Sequence, residues 1–155
     1  MDDKEIKEWL DSDELEVVRA FIDTDVRFLI VGGRAVQFHG YARPAKDLDI
    51  LVEFSAENWP KLRIALRPLN ADVRPFEALS QQRKYKAKLR FYPTVELLTA
   101  IKGVSFSEAW AESVETSFEG SRVRVLSKAH LILSKQGSRR PVDVDDIRGL
   151  RDKSK

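Results

Sequence analysis

Apolar residues at the start of the chain repeat with the period of a helix face, at intervals of about three to four positions. These residues are Ile6, Trp9, Leu10, Leu15, Val18, Phe21 and Ile22. Ser12 is suited to cap a helix within this segment, because a serine hydroxyl can accept a hydrogen bond from a free backbone N–H. We expect the segment to form a helical clasp over the rest of the domain.

The next segment changes from the helical pattern to a strand, a turn and a short helix. Residues 28–31 form a short apolar run that suits a buried strand, and Gly32 and Gly33 end that run. A helix is predicted over residues 34–38, ending near Gly40. The glycine turn therefore leads directly into the first turn of a helix, where backbone N–H groups lack partners.

A second strand is predicted within residues 47–53. Three apolar residues, Leu48, Ile50 and Val52, alternate there with Asp47, Asp49, Leu51 and Glu53. Successive side chains of a strand point to opposite faces of a sheet. This strand should therefore bury one face and present its carboxylates on the other.

The remaining pattern predicts more helices and strands of the same α/β fold. They are a helix from Ser55 to about Leu69, strands within 84–92 and over 95–98, a helix over 106–114, hairpin strands over 115–118 and 122–125, and helices over 128–135 and 143–152. We expect an α/β fold class, with a mixed sheet flanked by helices, in a single domain spanning residues 1–155. The terminal helices should pack on that domain, because a chain of this length has too few residues for them to form a separate core.

Composition narrows the classes of protein to consider. Lys and Arg number 27 and Asp and Glu 25, and a net charge of +2 does not indicate nucleic-acid binding. The absence of cysteine excludes disulfides, thiol catalysis and thiolate metal sites. The first residues are too polar for a signal peptide, and no apolar run reaches membrane-spanning length. We therefore expect a cytoplasmic protein that does not associate with membranes.

The glycine pair and the acidic strand together predict a site for metal ions and phosphate. Asp47 and Asp49 are two residues apart on a strand, so they point to one face and can share divalent cations. Backbone N–H groups at the start of a helix can hold phosphate. Residues 34–46 leave room for a short helix and a return loop that brings Gly33 beside the acids. This order favours a small metal-dependent enzyme that acts on a nucleoside triphosphate.

The same order and spacing resemble the nucleotidyltransferase superfamily related to polymerase beta. Its motif is an apolar residue, a glycine, a glycine or serine and, after a gap, a pair of acidic residues separated by one apolar residue. More narrowly, the chain looks like a small bacterial branch of minimal nucleotidyltransferases, some of which serve as toxins. The residues that carry this likeness are Gly32-Gly33-Arg34-Ala35, His39-Gly40, Arg43-Pro44 and Lys46-Asp47-Leu48-Asp49-Ile50.

The resemblance implies a metal site, a triphosphate site and a reaction. Asp47, Asp49 and Glu96 would be the catalytic carboxylates and would bind Mg²⁺ or Mn²⁺, although aspartate is more usual at the third position. The residues implied to bind the triphosphate are Gly32, Gly33, Arg34 through its backbone, Arg43 and Lys46. The implied reaction moves a nucleoside monophosphate from a nucleoside triphosphate to a hydroxyl acceptor and releases pyrophosphate.

The acceptor and the protein partner stay open at this point. The acceptor hydroxyl could belong to RNA such as tRNA, to a protein or to a small molecule, and a toxin would have a cognate partner protein. An Asp-x-Asp pair also occurs in glycosyltransferases and in haloacid-dehalogenase-like phosphatases, but the chain length and the residues around Asp47 fit neither class well. The main alternative is a catalytically weak or inactive module for binding or regulation in a toxin–antitoxin pair, because Glu96 departs from the usual aspartate.

Several other polar residues have structural interpretations. His39 is predicted to close the short helix or to bond a carbonyl. Lys84, Lys86, Lys88 and Arg90 alternate on one strand face, where they would either guard a sheet edge or guide RNA phosphates.

Two groups near the C-terminus are also predicted to lie outside the core site. Lys135, Asp143 and Asp146 suit a salt-bridged pair of terminal helices. Residues 138–140, which include two arginines, suit a solvated loop.

Overall fold

The computed structural model describes residues 6–82 and 86–152. Within these residues, six strands form one mixed sheet. In chain order they are β1 (Phe28–Val31), β2 (Leu48–Val52), β3 (Lys88–Phe91), β4 (Val95–Leu98), β5 (Val114–Phe118) and β6 (Ser121–Val125). Across the sheet they lie in the order β3-β4-β2-β1-β6-β5.

The central strands run in mixed directions. Strand β1 pairs antiparallel with β2 and parallel with β6, and β2 pairs parallel with β4. The outer strands β3 and β5 each pair antiparallel with the strand next to them. The predicted hairpin near the C-terminus is confirmed. The prediction that β3 and β4 join the same sheet is confirmed as well.

Helices flank the sheet, which confirms the predicted α/β fold class. They are α1 (Ser12–Asp23), α2 (Gly32–Phe38), α3 (Asn58–Leu66), α4 (Arg74–Ser80), α5 (Phe106–Ala111), α6 (Lys128–Lys135) and α7 (Pro141–Arg151), with 3₁₀ turns at Ile6–Trp9 and Arg67–Leu69. In the two described ranges, no helix is long and apolar enough to cross a membrane.

The centre of the sheet is covered on both faces. Ile30 of β1 and Ile50 of β2 are fully buried. Leu51 points to the same face as Asp49 yet is only 1% exposed, so the prediction that β2 buries one face was wrong at this position. That face of β2 is covered at Leu51, whereas at Asp47 and Asp49 it is partly exposed to solvent.

The cap of α1 differs by one residue from the prediction. Asp11, not Ser12, is the N-cap: its carboxylate accepts a hydrogen bond of 2.8 Å from the backbone N–H of Glu14. The Glu14 carboxylate accepts one of 3.2 Å from the backbone N–H of Asp11 in return. This reciprocal capping box satisfies two N–H groups that a lone serine could not satisfy together.

Several elements also differ from the sequence pattern. The predicted helix over 55–69 begins only at Asn58, whose backbone N–H donates to the Ser55 hydroxyl at 3.1 Å. The predicted helix over 106–114 ends at Ala111, because Val114 pairs with Val125 in the hairpin. Helix α4 was not predicted. Part of the predicted 84–92 strand, including Lys84, lies outside the described residues.

Candidate active site

Sheet pairing brings three carboxylates together at one end of the central strands. The parallel register of β2 and β4 places Asp49 directly beside Glu96. Asp47 lies two residues before Asp49 and therefore faces the same side of the sheet. We call Asp47, Asp49 and Glu96 the acid cluster. Strand alternation had already paired Asp47 with Asp49, but Glu96 was added only through a family resemblance, and the register of β2 and β4 gives its meeting with Asp49 a physical cause.

The glycine turn lies directly against the acid cluster. Strand β1 pairs Val31 with Asp49, so the next residue, Gly32, begins α2 beside that carboxylate. A Cβ on Gly32 would lie 2.2 Å from Oδ2 of Asp49, and Gly32 has a φ of +66°. Both the space and the backbone conformation therefore require glycine at this position. The predicted approach of the glycine turn to the acidic strand is confirmed.

Asp49 is the carboxylate most affected by its surroundings. Burial, together with the negative charges of Glu96 and Asp47, raises its pKa to about 6, against the opposing charges of Arg90 and Lys88. A carboxylate with only a structural role normally has hydrogen bonds or cations that favour its charged form, whereas the surroundings of Asp49 favour its protonated form. Perturbed acids of this kind are concentrated at functional sites.

Two cations on the edge strand β3 contact the acid cluster. The register pairs Arg90 with Glu96, and their side chains meet at 3.2 Å. The same guanidinium also lies 3.3 Å from Asp47. Lys88 lies 3.6 Å from Glu96. The sequence pattern predicted that these cations guard a sheet edge or guide RNA phosphates. Their pairing with the acids was missed, because it depends on the register of β3 and β4.

The donor chemistry of the acid cluster fits a hard divalent cation. Its ligands would be carboxylate oxygens, which Mg²⁺ and Mn²⁺ prefer. In residues 6–82 and 86–152, however, no group of three or more acidic or histidine side chains is arranged to hold a metal ion as it stands. The guanidinium of Arg90 contacts both Asp47 and Glu96 in this arrangement.

Gly33 and Arg43 connect the glycine turn to the C-terminal helices. A Cβ on Gly33 would lie 2.8 Å from Cβ of Ala45 and 3.2 Å from Nη1 of Arg43. The Arg43 guanidinium donates two hydrogen bonds, of 2.7 and 2.8 Å, to the fully buried Asp146 of α7. A third bond, from Nη1, reaches the Pro44 carbonyl at 2.7 Å. This side chain borders the predicted triphosphate site, while its hydrogen bonds serve the fold.

Arg34 and Lys46 differ in what they offer a ligand. The Arg34 guanidinium donates to both carboxylate oxygens of the buried Glu14 at 3.1 Å and to the Ala45 carbonyl at 2.8 Å. Its side chain is thus engaged within the protein, and binding of phosphate by its backbone stays a prediction. Lys46 is exposed and directly precedes Asp47.

The predicted ion pairs between the terminal helices are confirmed. Lys135 of α6 lies 3.3 Å from Asp143 and 3.0 Å from Asp146 of α7. With Arg43, these residues form what we call the helix network. Burial acts to raise the pKa of Asp143, but hydrogen bonds from Ser138 and Lys135 and the charges of Lys135 and Arg140 outweigh it and lower that pKa.

The predicted structural role of His39 is also confirmed. Its Nε2 lies 2.8 Å from the carbonyl oxygen of Leu126, and burial lowers the pKa of the ring. A neutral imidazole held in this way ties α2 to the end of β6.

An open cavity continues from the acid cluster along the same face of the sheet. Lys88 lines the cavity and also contacts Glu96, so the two sites share a wall. The cavity has a volume of about 450 Å³, which is within the range of pockets that bind small molecules. The lining residues are Pro75, Lys86, Ala87, Lys88, Leu98 and Ala100.

Comparison of the sequence with models of known families gives no match, and comparison with curated proteins gives none either. Comparison of structures does give matches. The lincosamide antibiotic adenylyltransferase LnuA, in its lincomycin-bound crystal structure, aligns with a TM-score of 0.59 at 18% identity, over 92% of this chain and 98% of that chain. ANT(2")-Ia in complex with adenylyl-2"-tobramycin aligns with a TM-score of 0.50 at 14% identity, over 87% of this chain and 83% of that chain. The chain therefore has the fold of the nucleotidyltransferase superfamily, as the glycine turn and the two aspartates indicated.

Proposed function

We propose that this protein transfers a nucleoside monophosphate from a nucleoside triphosphate to a hydroxyl acceptor. The observation that carries the proposal is the place of Asp49, which lies against Gly32 on one side and beside Glu96 on the other. This arrangement puts a turn without side chains next to clustered carboxylates. Triphosphate with its counter-ions needs both features within one site.

The acid cluster would hold the divalent cations. When bound, Mg²⁺ or Mn²⁺ would neutralise the triphosphate and lower the pKa of the acceptor hydroxyl. Asp47 and Asp49 would hold the triphosphate side of the site, and Glu96 the acceptor side. The acceptor oxygen would form a bond to the α-phosphorus while the bond from that phosphorus to pyrophosphate breaks, and the hydroxyl proton would pass to Glu96.

The glycine turn would hold the outer phosphates. Gly32 and Gly33 let the backbone approach a ligand closely, and the N–H of Arg34 follows them in the first turn of α2. Lys46 is exposed beside Asp47 and would pair with phosphate oxygens. Arg43 would add positive potential from its position next to Gly33, although its hydrogen bonds stay within the protein.

The cavity beside Lys88 is the best place for the acceptor. It continues from Glu96, which is the carboxylate proposed to receive the acceptor proton. Two lysines in its wall favour an acceptor with negative charge, such as RNA, over a cationic drug. Attachment of a nucleotide to tRNA or to a protein would suit a toxin that a partner protein restrains.

Labelled nucleotides test the proposal. The protein is incubated with each α-³²P nucleoside triphosphate, Mg²⁺ or Mn²⁺, and one acceptor class: total RNA, total protein or a panel of hydroxylated small molecules. We expect label transfer that is lost in Asp47→Asn and Asp49→Asn and kept in Asp72→Asn, which carries the same change at an exposed position away from the site. Transfer that survives in both site variants would refute the assignment.

A binding module is the second candidate, and the ion pairs of Glu96 favour it. In this structure Glu96 is neutralised by Arg90 and Lys88. If these ion pairs persisted when a ligand bound, the protein would bind nucleotide or a partner protein without transferring a nucleoside monophosphate. Nucleotide binding by calorimetry, combined with no labelled product from any acceptor class, would establish this alternative.

A further inference from the structure

The side chain of Arg90 contacts two of the three carboxylates of the acid cluster. Its guanidinium lies 3.3 Å from Oδ2 of Asp47 and 3.2 Å from Oε2 of Glu96, so one side chain bridges two of the three carboxylates. A third contact, of 3.3 Å, reaches the carbonyl of Pro93. The arrangement places a positive charge between two groups proposed to bind metal.

The side chain of Arg90 is free to leave without disturbing the sheet. It is 47% exposed, whereas the Glu96 side chain is only 13% exposed. The backbone of Arg90 is held independently, by the antiparallel pairing of β3 with β4. The guanidinium can therefore rotate away from the acids while the strand stays in place.

We propose that Arg90 is a resident counter-cation that exchanges partners when the substrate binds. Without ligand, it holds Asp47 and Glu96 together; when a metal-bound triphosphate enters, it leaves the carboxylates and pairs with phosphate oxygens. This inference rests on the proposed function and assigns to Arg90 a positioning role in it. Its consequence is that the site accepts metal and nucleotide jointly and binds metal alone weakly.

The exchange follows from the charges involved. A bare divalent ion must displace a guanidinium from two carboxylates and offers it no new partner. A triphosphate brings several negative oxygens, which suit the planar fork of arginine better than a single carboxylate does. The triphosphate thus lowers the free energy of the displaced Arg90 and makes the binding of metal and nucleotide cooperative.

Binding of Mn²⁺ in the absence of nucleotide tests the first step. Free Mn²⁺ is measured by electron paramagnetic resonance with the wild type, Arg90→Gln, Arg90→Lys and Lys88→Gln. Arg90→Gln should bind Mn²⁺ about tenfold more tightly than the wild type, because a competing charge is removed from the site itself. Arg90→Lys keeps the charge but not the fork, so its affinity should lie between those two.

Lys88→Gln separates displacement from general electrostatics. Lys88 faces the same carboxylate, at 3.6 Å from Glu96, but bridges nothing in this site. Its change should strengthen Mn²⁺ binding by no more than about threefold, because an exposed charge outside the ligand set is screened by solvent. Equal effects of Arg90→Gln and Lys88→Gln would overturn the proposal, and so would any weakening of Mn²⁺ binding by Arg90→Gln.

A non-hydrolysable triphosphate analogue tests the second step. With Mn²⁺ present at saturation, Arg90→Gln should bind the analogue about tenfold more weakly than the wild type, because one charge-assisted phosphate contact is lost. Unchanged affinity would overturn the partner exchange. Neither measurement needs catalysis. If label is transferred but binding of Mn²⁺ and of the analogue does not depend on Arg90, this inference is refuted and the proposed function is not. Absence of label transfer would count against the proposed function.

Discussion

The acid cluster and the helix network both contain carboxylates shielded from water, yet their charges are balanced in different ways. In the helix network, the fully buried Asp146 receives two hydrogen bonds from Arg43 and lies 3.0 Å from Lys135. In the acid cluster, Asp49 lies among other carboxylates, and its pKa rises to about 6. In the helix network, paired charges stabilise the fold. In the acid cluster, the three carboxylates outnumber the two cations that contact them.

The two regions should therefore contribute differently to the stability of the fold. Removal of one partner from a buried ion pair is strongly destabilising, because it leaves an uncompensated buried charge. A carboxylate whose folded pKa is raised destabilises the fold at neutral pH. Substitutions in the two regions should therefore change stability in opposite directions.

The largest loss should follow Asp146→Ala in the helix network. The change leaves the buried cations of Arg43 and Lys135 without their shared partner, which costs about 3–5 kcal/mol of unfolding free energy. Urea denaturation followed by circular dichroism measures it. Asp145→Ala, one residue earlier, removes only an exposed partner of Tyr41 and should shift the midpoint far less. Equal shifts would remove the contrast between the two regions.

Gly32→Ala should come next, with effects on both stability and activity. The new methyl group would meet the Asp49 carboxylate in a backbone conformation that disfavours alanine, at a cost of about 2–3 kcal/mol. Label transfer should fall by about 100-fold or more, because the carboxylate must move. Gly40→Ala is the matched control, since it shares a positive φ but meets nothing within 4 Å. It should cost about 1 kcal/mol and leave transfer intact.

Asp49→Asn should have the opposite sign and increase stability. The folded pKa of about 6 exceeds the usual 3.8, so the wild type is most stable with this group protonated and loses that stability as pH rises through 6. At about pH 8 without metal, the variant should gain roughly 1–2 kcal/mol, and below about pH 4 the gain should vanish.

Urea titrations across this pH range measure the gain. Asp72→Asn is the reference, because hydrogen bonds from Arg74 lower the pKa of Asp72 to about 2 and its neutralisation should not stabilise. A pH-independent gain in Asp49→Asn would show that packing, not charge, produces the effect.

The smallest effect should come from Arg19→Ala. Arg19 and Glu119 form a two-pronged pair at 2.7 and 2.6 Å, with a geometry close to that of Arg43 and Asp146. Arg19 is 50% exposed, so solvent screens the interaction and the denaturation midpoint should not shift measurably. A large shift would mean that geometry, and not burial, sets the strength of these pairs.

Patterns that span a few residues were enough to locate the glycine turn and the acidic strand. Strand β1 and helix α6 have the predicted bounds, whereas helix α2 begins at Gly32, two residues before its predicted start. Helix α4 was missed because its sequence carries no clear helical period and begins with Arg74-Pro75. The N-cap of α1 was misplaced by one residue, since two adjacent residues can serve as caps.

The sequence by itself placed Asp47 and Asp49 on one face of β2, because side chains alternate along a strand whatever the rest of the chain does. Their partners were fixed by long-range pairing. The register of β3 and β4 gives Glu96 its contact with Arg90, and Arg43 finds Asp146 at a separation of 103 residues. Local periodicity holds no information about such separations, because strand register and helix docking depend on burial across the whole core.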